Sequence, residues 1–420
     1  MTRNIAFMKS EATLAWLGQF DPTDQALVTE MLQKMLLVSR NGFVERLIRL
    51  VRSKNGGNPV GLYAERELRS HDGRPNRLFK QSDRKPFRAV GAGPRPIDPF
   101  RAYDADVGSE GIVAQAVSEL CRRFPKMYFN HPGPDQIRKN KIRRFVLVTD
   151  FIGSGDRVRK YLDAAWRVAS VRSWWSARAT VGMSFEVIAY SGTAQGLSYV
   201  EAHPTKPDVS LVAPCPTISN SFSREKYYAL QKLCVHYSPA ARSIPATGYG
   251  WVGALIAFAH GVPNNVPLLF FKKSPTWIPL FPERVTSDVR EHFTDEPETG
   301  EQLRERLKAM RQSRLSQSGV FDTVDPQIRN LVVVLAALSR PPRTRQSVAL
   351  QSGLTLSEVD AVLAKAIGYG WIDGRNRLTD RGQAELRRMR VDQFALSGLP
   401  LETEDDYCPQ QLRAPVSLFR

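Results

Sequence analysis

The sequence predicts an α/β fold built on a parallel sheet, with helices before the sheet and a small helical domain after it. Three observations carry this. Between residues 112 and 259, short apolar runs alternate with amphipathic stretches at helical spacing, the pattern of strands joined by crossover helices. Two helix-like segments precede that region and a compact series of helices follows it. The length, 420 residues, also exceeds what one core usually holds, so two or three domains are expected.

The N-terminal segment, residues 25–53, places Leu27, Met31, Met35, Leu36 and Leu37 before Asn41-Gly42, and Phe43, Leu47, Ile48 and Val51 after it. That spacing predicts two helices broken at the Asn-Gly pair. Residues 54–99 are rich in Gly, Pro, Arg and Asn and show no sustained period, so a loop-dominated basic layer is expected there. The strand candidates are Phe145-Val146-Leu147-Val148, Phe185 to Ala189, Val209 to Val212 and Val266 to Phe271. Between the first two lies a helix with Val158, Tyr161, Leu162, Ala165 and Trp166 on one face. Residues 286–325 read as a charged linker helix.

In the last domain an apolar helix (Ile328, Leu331, Val332, Leu335) ends at Pro341-Pro342. A short helix over 344–351 and a turn at Gly353 follow, then a third helix capped by Thr355 and Glu358. Two short strands around Gly374-Arg375-Asn376 and a helix from Asp380 complete it. Three helices, a wing and a closing helix are the order of a winged helix-turn-helix. The expected division is residues 1–100 (N-terminal helices and basic loops), 101–285 (α/β), 286–325 (linker), 326–390 (winged helix) and 391–420, an acidic tail.

Composition narrows the function. With 42% hydrophobic and 24% charged residues the chain is globular rather than disordered. Four cysteines with no C-x-x-C spacing exclude a disulfide scaffold and a cysteine-rich zinc module. The N-terminus lacks the apolar run of a secretory signal, which points to the cytoplasm. Residues 243–271 carry no Lys, Arg, Asp or Glu, yet their prolines, asparagines and His260 fit a buried core rather than a membrane span, so no membrane contact is expected.

The 59 Lys and Arg outnumber 42 Asp and Glu, giving a formal charge of +17. The excess is spread. Residues 40–101 hold fifteen cations against six acids, Arg138 to Arg144 five cations in seven residues, and residues 326–390 eleven against five. Each cluster alone reads as a solvated surface, whereas the sum favours a polyanion partner, most simply nucleic acid. In the winged helix, Ser347, Gln351, Thr355, Ser357 and Lys365 are the candidate recognition surface, with Arg375 and Arg377 at the wing reaching phosphate. A protein partner is the alternative for such a domain.

The most informative stretch is Val146-Leu147-Val148-Thr149-Asp150-Phe151-Ile152-Gly153-Ser154-Gly155-Asp156-Arg157. It reads as a strand, an acid at its carboxyl end, a tight Gly-Ser-Gly turn and an amphipathic helix. Glycines let backbone N–H groups approach an anion, and the helix N-terminus adds its dipole. Asp150 stands where open α/β sheets place ligand-binding residues, and a carboxylate there suits ribose hydroxyls or a metal bound by a diphosphate. The alternative is a strand-turn-helix whose glycines serve geometry alone. Gly108-Ser109-Glu110-Gly111 is a second candidate loop, and Tyr190-Ser191-Gly192-Thr193 a third at the same sheet edge. His260, in Phe258-Ala259-His260-Gly261-Val262-Pro263-Asn264-Asn265, either satisfies a buried turn or forms a base-binding or partner-binding edge. The other five histidines have no metal-ligand spacing, and neither G-x-S-x-G nor H-E-x-x-H occurs, so no protein metal centre and neither a serine nor a zinc hydrolase is expected.

The 146–157 stretch resembles the 5-phosphoribosyl-1-diphosphate (PRPP) motif of phosphoribosyltransferases, an apolar strand leading to two acids and a Thr/Ser/Gly phosphate loop. Asp150 falls on the second acid, Thr149 occupies the first, and Arg157 stands where a hydroxyl residue usually closes the loop. The resemblance implies an α/β domain of phosphoribosyltransferase type that takes Mg2+ with PRPP or a related nucleotide, with Asp150 as the candidate catalytic residue. Thr149, Gly153, Ser154, Gly155, Asp156 and Arg157, joined by Gly108 to Gly111, are the candidate phosphate-binding set.

Together with His260 to Asn265, Trp277-Ile278-Pro279-Leu280-Phe281-Pro282 and the winged helix, the chain resembles the phosphoribosyltransferase-like proteins of bacterial conflict systems, including those encoded beside retron reverse transcriptases. That resemblance implies an antiphage effector, with a reverse transcriptase and its DNA or RNA–DNA hybrid product as partners. A PRPP-sensing transcriptional regulator and a catalytically silent scaffold of a ribonucleoprotein complex are the competing readings.

Overall fold

A computed structural model of the chain describes residues 4–54, 56–96, 108–238, 244–293, 300–318, 321, 325–354 and 356–389. The expected acidic tail and the Thr355 cap lie outside these residues.

The main sheet has five strands, numbered in chain order: β1 (Val60–Ala64), β2 (Tyr128–Asn130), β3 (Arg144–Ile152), β4 (Ser184–Gly192) and β5 (Asp208–Pro214). They are hydrogen-bonded in the order β5-β4-β3-β1-β2, and every pair is parallel. Along β3 the side chains of Val146 and Val148 enter one core, while Phe145 and Leu147 enter the other. A parallel sheet covered on both faces needs such continuous apolar runs, which is why these strands lack polar alternation.

One face is covered by α1 (Arg40–Ser53) and α2 (Gly108–Arg123), and the N-terminal helices Glu11–Leu17 and Pro22–Gln33 add to the same core. The opposite face packs α3 (Asp156–Trp166) and Ala169–Ser176. A helix α4 (Ala194–Glu201) leads from β4 to β5. The N-terminal helices and α1, with apolar residues from Phe7 to Val51, thus share one core with the sheet.

Four expectations need correction. β1, fully buried and central, comes from the 54–99 stretch expected to be loops, although two short hairpins also lie there. Met35, Leu36 and Leu37 were expected in a helix, but the helix stops at Gln33, and Leu36–Val38 forms a strand parallel to Ile256–Phe258. Asn41-Gly42 does not break a helix; Ser39 caps α1 by accepting from the Gly42 N–H at 3.1 Å. The apolar run 266–271 is not a strand. Leu268–Phe270 is a buried 3-10 turn entered from Pro267, and it pairs with no strand among the described residues.

The winged helix is present as α5 (Pro326–Leu338), α6 (Arg345–Ser352), α7 (Leu356–Gly368) and α8 (Asp380–Arg388). Its wing is a single antiparallel bridge, Ile372 with Leu378. Gly353, at φ 70°, makes the turn between α6 and α7. Both of those helices lie against the edge strand β5, and Val332, Leu335 and Val359 share a core with Leu147 and Val187. The linker region supplies Gly300–Ala309 and Ser313–Gln317, which bury Leu303, Leu307 and Leu315 in that core. Among the described residues no helix is long and apolar enough to cross a membrane.

Candidate functional site

The chain leaves β1 to form β2 on one side, then returns to pair β3 on the other side of β1. That reversal opens a crevice at the carboxyl ends of β1 and β3, where open α/β sheets bind ligands. Asp150 on β3 is there, as expected. Beside it stands a residue that sequence reasoning missed. Glu65 follows β1 directly, its N–H donating to the Val148 carbonyl at 2.8 Å. The Thr149 hydroxyl lies 3.2 Å from both Glu65 Oε2 and Asp150 Oδ1. Thr149 occupies the first acid position of the resembled motif, and Glu65 supplies an acid next to it in space.

Glu65 is only 4% exposed. Burial pushes its carboxyl from the ordinary 4.5 up to about 7, against the pull of the Arg157 guanidinium, whose Nε donates to Oε1 at 3.1 Å. Arg157 also pairs with Glu110, and the Glu67 N–H donates to that same carboxylate at 3.3 Å. Arg157 is therefore a bridge between two acids. The end of β1 is held from behind by His131, whose Nε2 accepts from the Ala64 N–H at 3.1 Å while Nδ1 donates to Asn130 Oδ1 at 2.6 Å. Burial pulls the His131 pKa down to about 4, so this support is neutral.

The Gly-Ser-Gly turn joins β3 to α3. The backbone N–H groups of Gly153, Ser154 and Gly155 make no hydrogen bond among the described residues. They meet the α3 N-terminus, an arrangement suited to an anion. Gly155 has φ 86°, which disfavours any other residue. Gly153 has a packing role as well, since a Cβ there would lie 2.0 Å from Asn265 Oδ1. Ser154 Oγ donates to Asp156 Oδ2 at 2.9 Å. From the third candidate loop, the Thr193 hydroxyl donates to the Gly153 carbonyl at 2.6 Å and accepts from the Gly196 N–H at 3.0 Å, capping α4. The second candidate loop is not a loop. Gly108, Ser109, Glu110 and Gly111 form the first turn of α2, with Glu110 turned toward Arg157; the side chain of Ser109 lies outside the described set.

His260 closes the crevice. Its Nε2 is 3.9 Å from Asp150 Oδ2, its side chain is 8% exposed, and neither ring nitrogen has a hydrogen-bond partner among the described residues. It stacks on Phe258 (5.0 Å between centroids) and meets Phe43 edge-on (4.9 Å). Asp150 Oδ1 accepts from the Phe151 N–H at 2.8 Å, which turns the other oxygen toward His260. No cluster of three or more His, Cys, Asp or Glu able to hold a metal occurs among the described residues.

The winged-helix candidates separate into two groups. Ser347 and Gln351 are half-buried on α6 and bond to each other at 3.0 Å, and the Gln351 carbonyl accepts from Arg306 at 3.4 Å. Thr355 and the Ser357 side chain lie outside the described residues. On α7 the exposed side chains are Glu358, Asp360, Ala361, Ala364, Lys365 and Ile367. Asp360 pairs with Arg345, and Lys365 reaches Gln327 at 2.9 Å. Arg375 and Arg377 are exposed on the wing, and their N–H groups both donate to Asp373 Oδ1 at 2.8 Å.

Residues 332–414 match the model of a winged helix family described as wHTH-PRTase associated. No curated protein and no solved structure matches the chain. Residues 13–283, more than half of the chain, match the PRTase-CE family model, PRTase denoting phosphoribosyltransferase. The match covers β1 through β5 and every residue of the crevice, and the chain belongs to the PRTase-CE family.

Proposed function

We propose that the crevice between β1 and β3 binds PRPP or a related nucleotide together with Mg2+, and that the protein is the effector of a retron-type antiphage system. The observation that carries the first part is the meeting of an acid pair, Glu65 and Asp150, with three unpartnered N–H groups at the α3 N-terminus. The two halves match the two ends of a sugar phosphate: N–H donors for phosphate, carboxylates for ribose hydroxyls. The residues fit the metal as well, on one condition. Asp150 and Glu65 are oxygen donors suited to Mg2+, but too few to hold it alone, so the ion would share oxygens with the diphosphate. When bound it would neutralise diphosphate charge. Asp150 is then the residue nearest the sugar, while Arg157 orients Glu65 and Glu110 rather than reaching the phosphate itself.

The effector role rests on the resemblance to conflict-system proteins. Within it, the winged helix is the partner-binding part. Its wing presents Arg375 and Arg377 to nucleic acid. The outward face of α7, with two acids, one lysine and Ile367, suits a protein such as the system's reverse transcriptase better than a polyanion.

Isothermal titration of PRPP with Mg2+ into wild type and Asp150→Ala tests the site. Binding by wild type that the variant loses by tenfold or more is expected, and absence of binding to folded wild type would overturn the proposal.

A further inference from the structure

His260 is the one crevice residue whose chemistry the proposed binding mode leaves unused. A histidine this buried normally has both ring nitrogens paired, since leaving a buried polar group without a partner is costly. Here neither is paired among the described residues, the ring is clamped between Phe258 and Phe43, and Nε2 points at Asp150 Oδ2 across 3.9 Å. That gap is too long for a hydrogen bond. It does admit one oxygen lying about 2.8 Å from both atoms, with an angle near 90° at that oxygen.

We propose that His260 and Asp150 together grip one ribose hydroxyl of the bound ligand, which accepts from Nε2–H and donates to the Asp150 carboxylate. This rests on the reading of the crevice as a ribose phosphate site, and it assigns to His260 the selection of ribose over deoxyribose. A hydroxyl is the only common sugar substituent that both accepts and donates, so an amine, a phosphate or a bare methylene does not satisfy the pair. A ligand lacking that hydroxyl leaves His260 Nε2 buried without a partner among the described residues, and sites of this kind discriminate strongly.

The test uses the full chain and two readouts. In titrations with Mg2+ present, His260→Phe is expected to bind PRPP at least tenfold more weakly than wild type, and His260→Gln, which keeps a donor, to recover part of that loss. Of 2-deoxyribose 5-phosphate and 3-deoxyribose 5-phosphate, one is expected to bind wild type about a hundredfold more weakly than ribose 5-phosphate, and that discrimination is expected to shrink about tenfold in His260→Phe, where only Asp150 still meets the hydroxyl. In the thermal melt of the ligand-free protein, His260→Phe is expected to unfold no lower than wild type, because phenylalanine keeps the stacking and removes the unpaired nitrogens. A variant that binds PRPP like wild type, or a wild type that takes both deoxy sugars as well as ribose 5-phosphate, overturns the role of His260 and leaves the site assignment standing. Failure of wild type to bind PRPP and ribose 5-phosphate alike overturns both.

Discussion

Replacing Glu65 with glutamine tests the electrostatics of the crevice directly. The carboxyl rises from 4.5 to about 7 on folding, so the native state holds its proton more tightly than the unfolded chain. Between these two values the folded protein binds more protons, and stability therefore falls as pH rises through the window. Each tenfold change in proton affinity is worth about 1.4 kcal/mol, so the loss attributable to Glu65 is about 3 kcal/mol, complete above pH 7 and absent below 4.5. Glu110 is shifted in the same direction, chiefly by burial, but it is present in both proteins and cancels in the comparison. Glu65→Gln keeps the shape, cannot ionise and leaves Arg157 paired with Glu110. Urea denaturation of both proteins from pH 5 to pH 8 should then show similar stability at pH 5 and a variant more stable by about 3 kcal/mol at pH 8. A difference that stays flat across that range, or a variant less stable at pH 8, would refute the assignment of a buried proton-binding carboxyl to this position.

Other perturbations separate geometry from chemistry. In Gly196→Ala the new Cβ would lie 2.2 Å from the Gly153 carbonyl oxygen, so α4 and the turn must part, and chemical denaturation should show a loss of about 3 kcal/mol. Gly374→Ala, with open space around it, should change stability by less than about 0.5 kcal/mol in the same assay. Arg144 and Glu186 are bound through two 2.6 Å hydrogen bonds, with side chains 15% and 11% exposed. Arg144→Met should cost about 3–5 kcal/mol by stranding the carboxylate, and adding Glu186→Leu should recover most of that; a double variant as unstable as the sum of the singles would contradict it.

The legible parts of the chain were those whose signal is local. The turn at 153–155 and each helix of the winged helix declare themselves within about a dozen residues, through glycines at fixed offsets and helix periods closed by caps. β1 was missed because five buried residues, Val60 to Ala64, sit in a basic, glycine-rich stretch and carry no alternation. Its one signature is an apolar run ended by an acid, the same phrase that marks β3 and Asp150. Glu65 lies 84 residues before Thr149, and only the parallel pairing of β1 with β3 brings them together. Conversely, the run 266–271 is apolar because it is buried, which hydrophobicity alone cannot distinguish from strand pairing. His260 stood out as a polar interruption, but its orphaned nitrogens are a property of the packed rings around it.

The seating of α6 and α7 on β5 has a mechanical side. A sheet's outermost strand is the natural place for a chain to recruit further strands, and here two helices of the winged helix lie against it. The winged helix is thus less a tethered hand than a keystone, since its helices and β3 and β4 draw on one apolar interior. A partner that grasped it firmly enough to shift it would strain the strands that hold Asp150, and one that lifted it away would leave β5 bare. Occupancy outside and geometry inside are in this way properties of the same block.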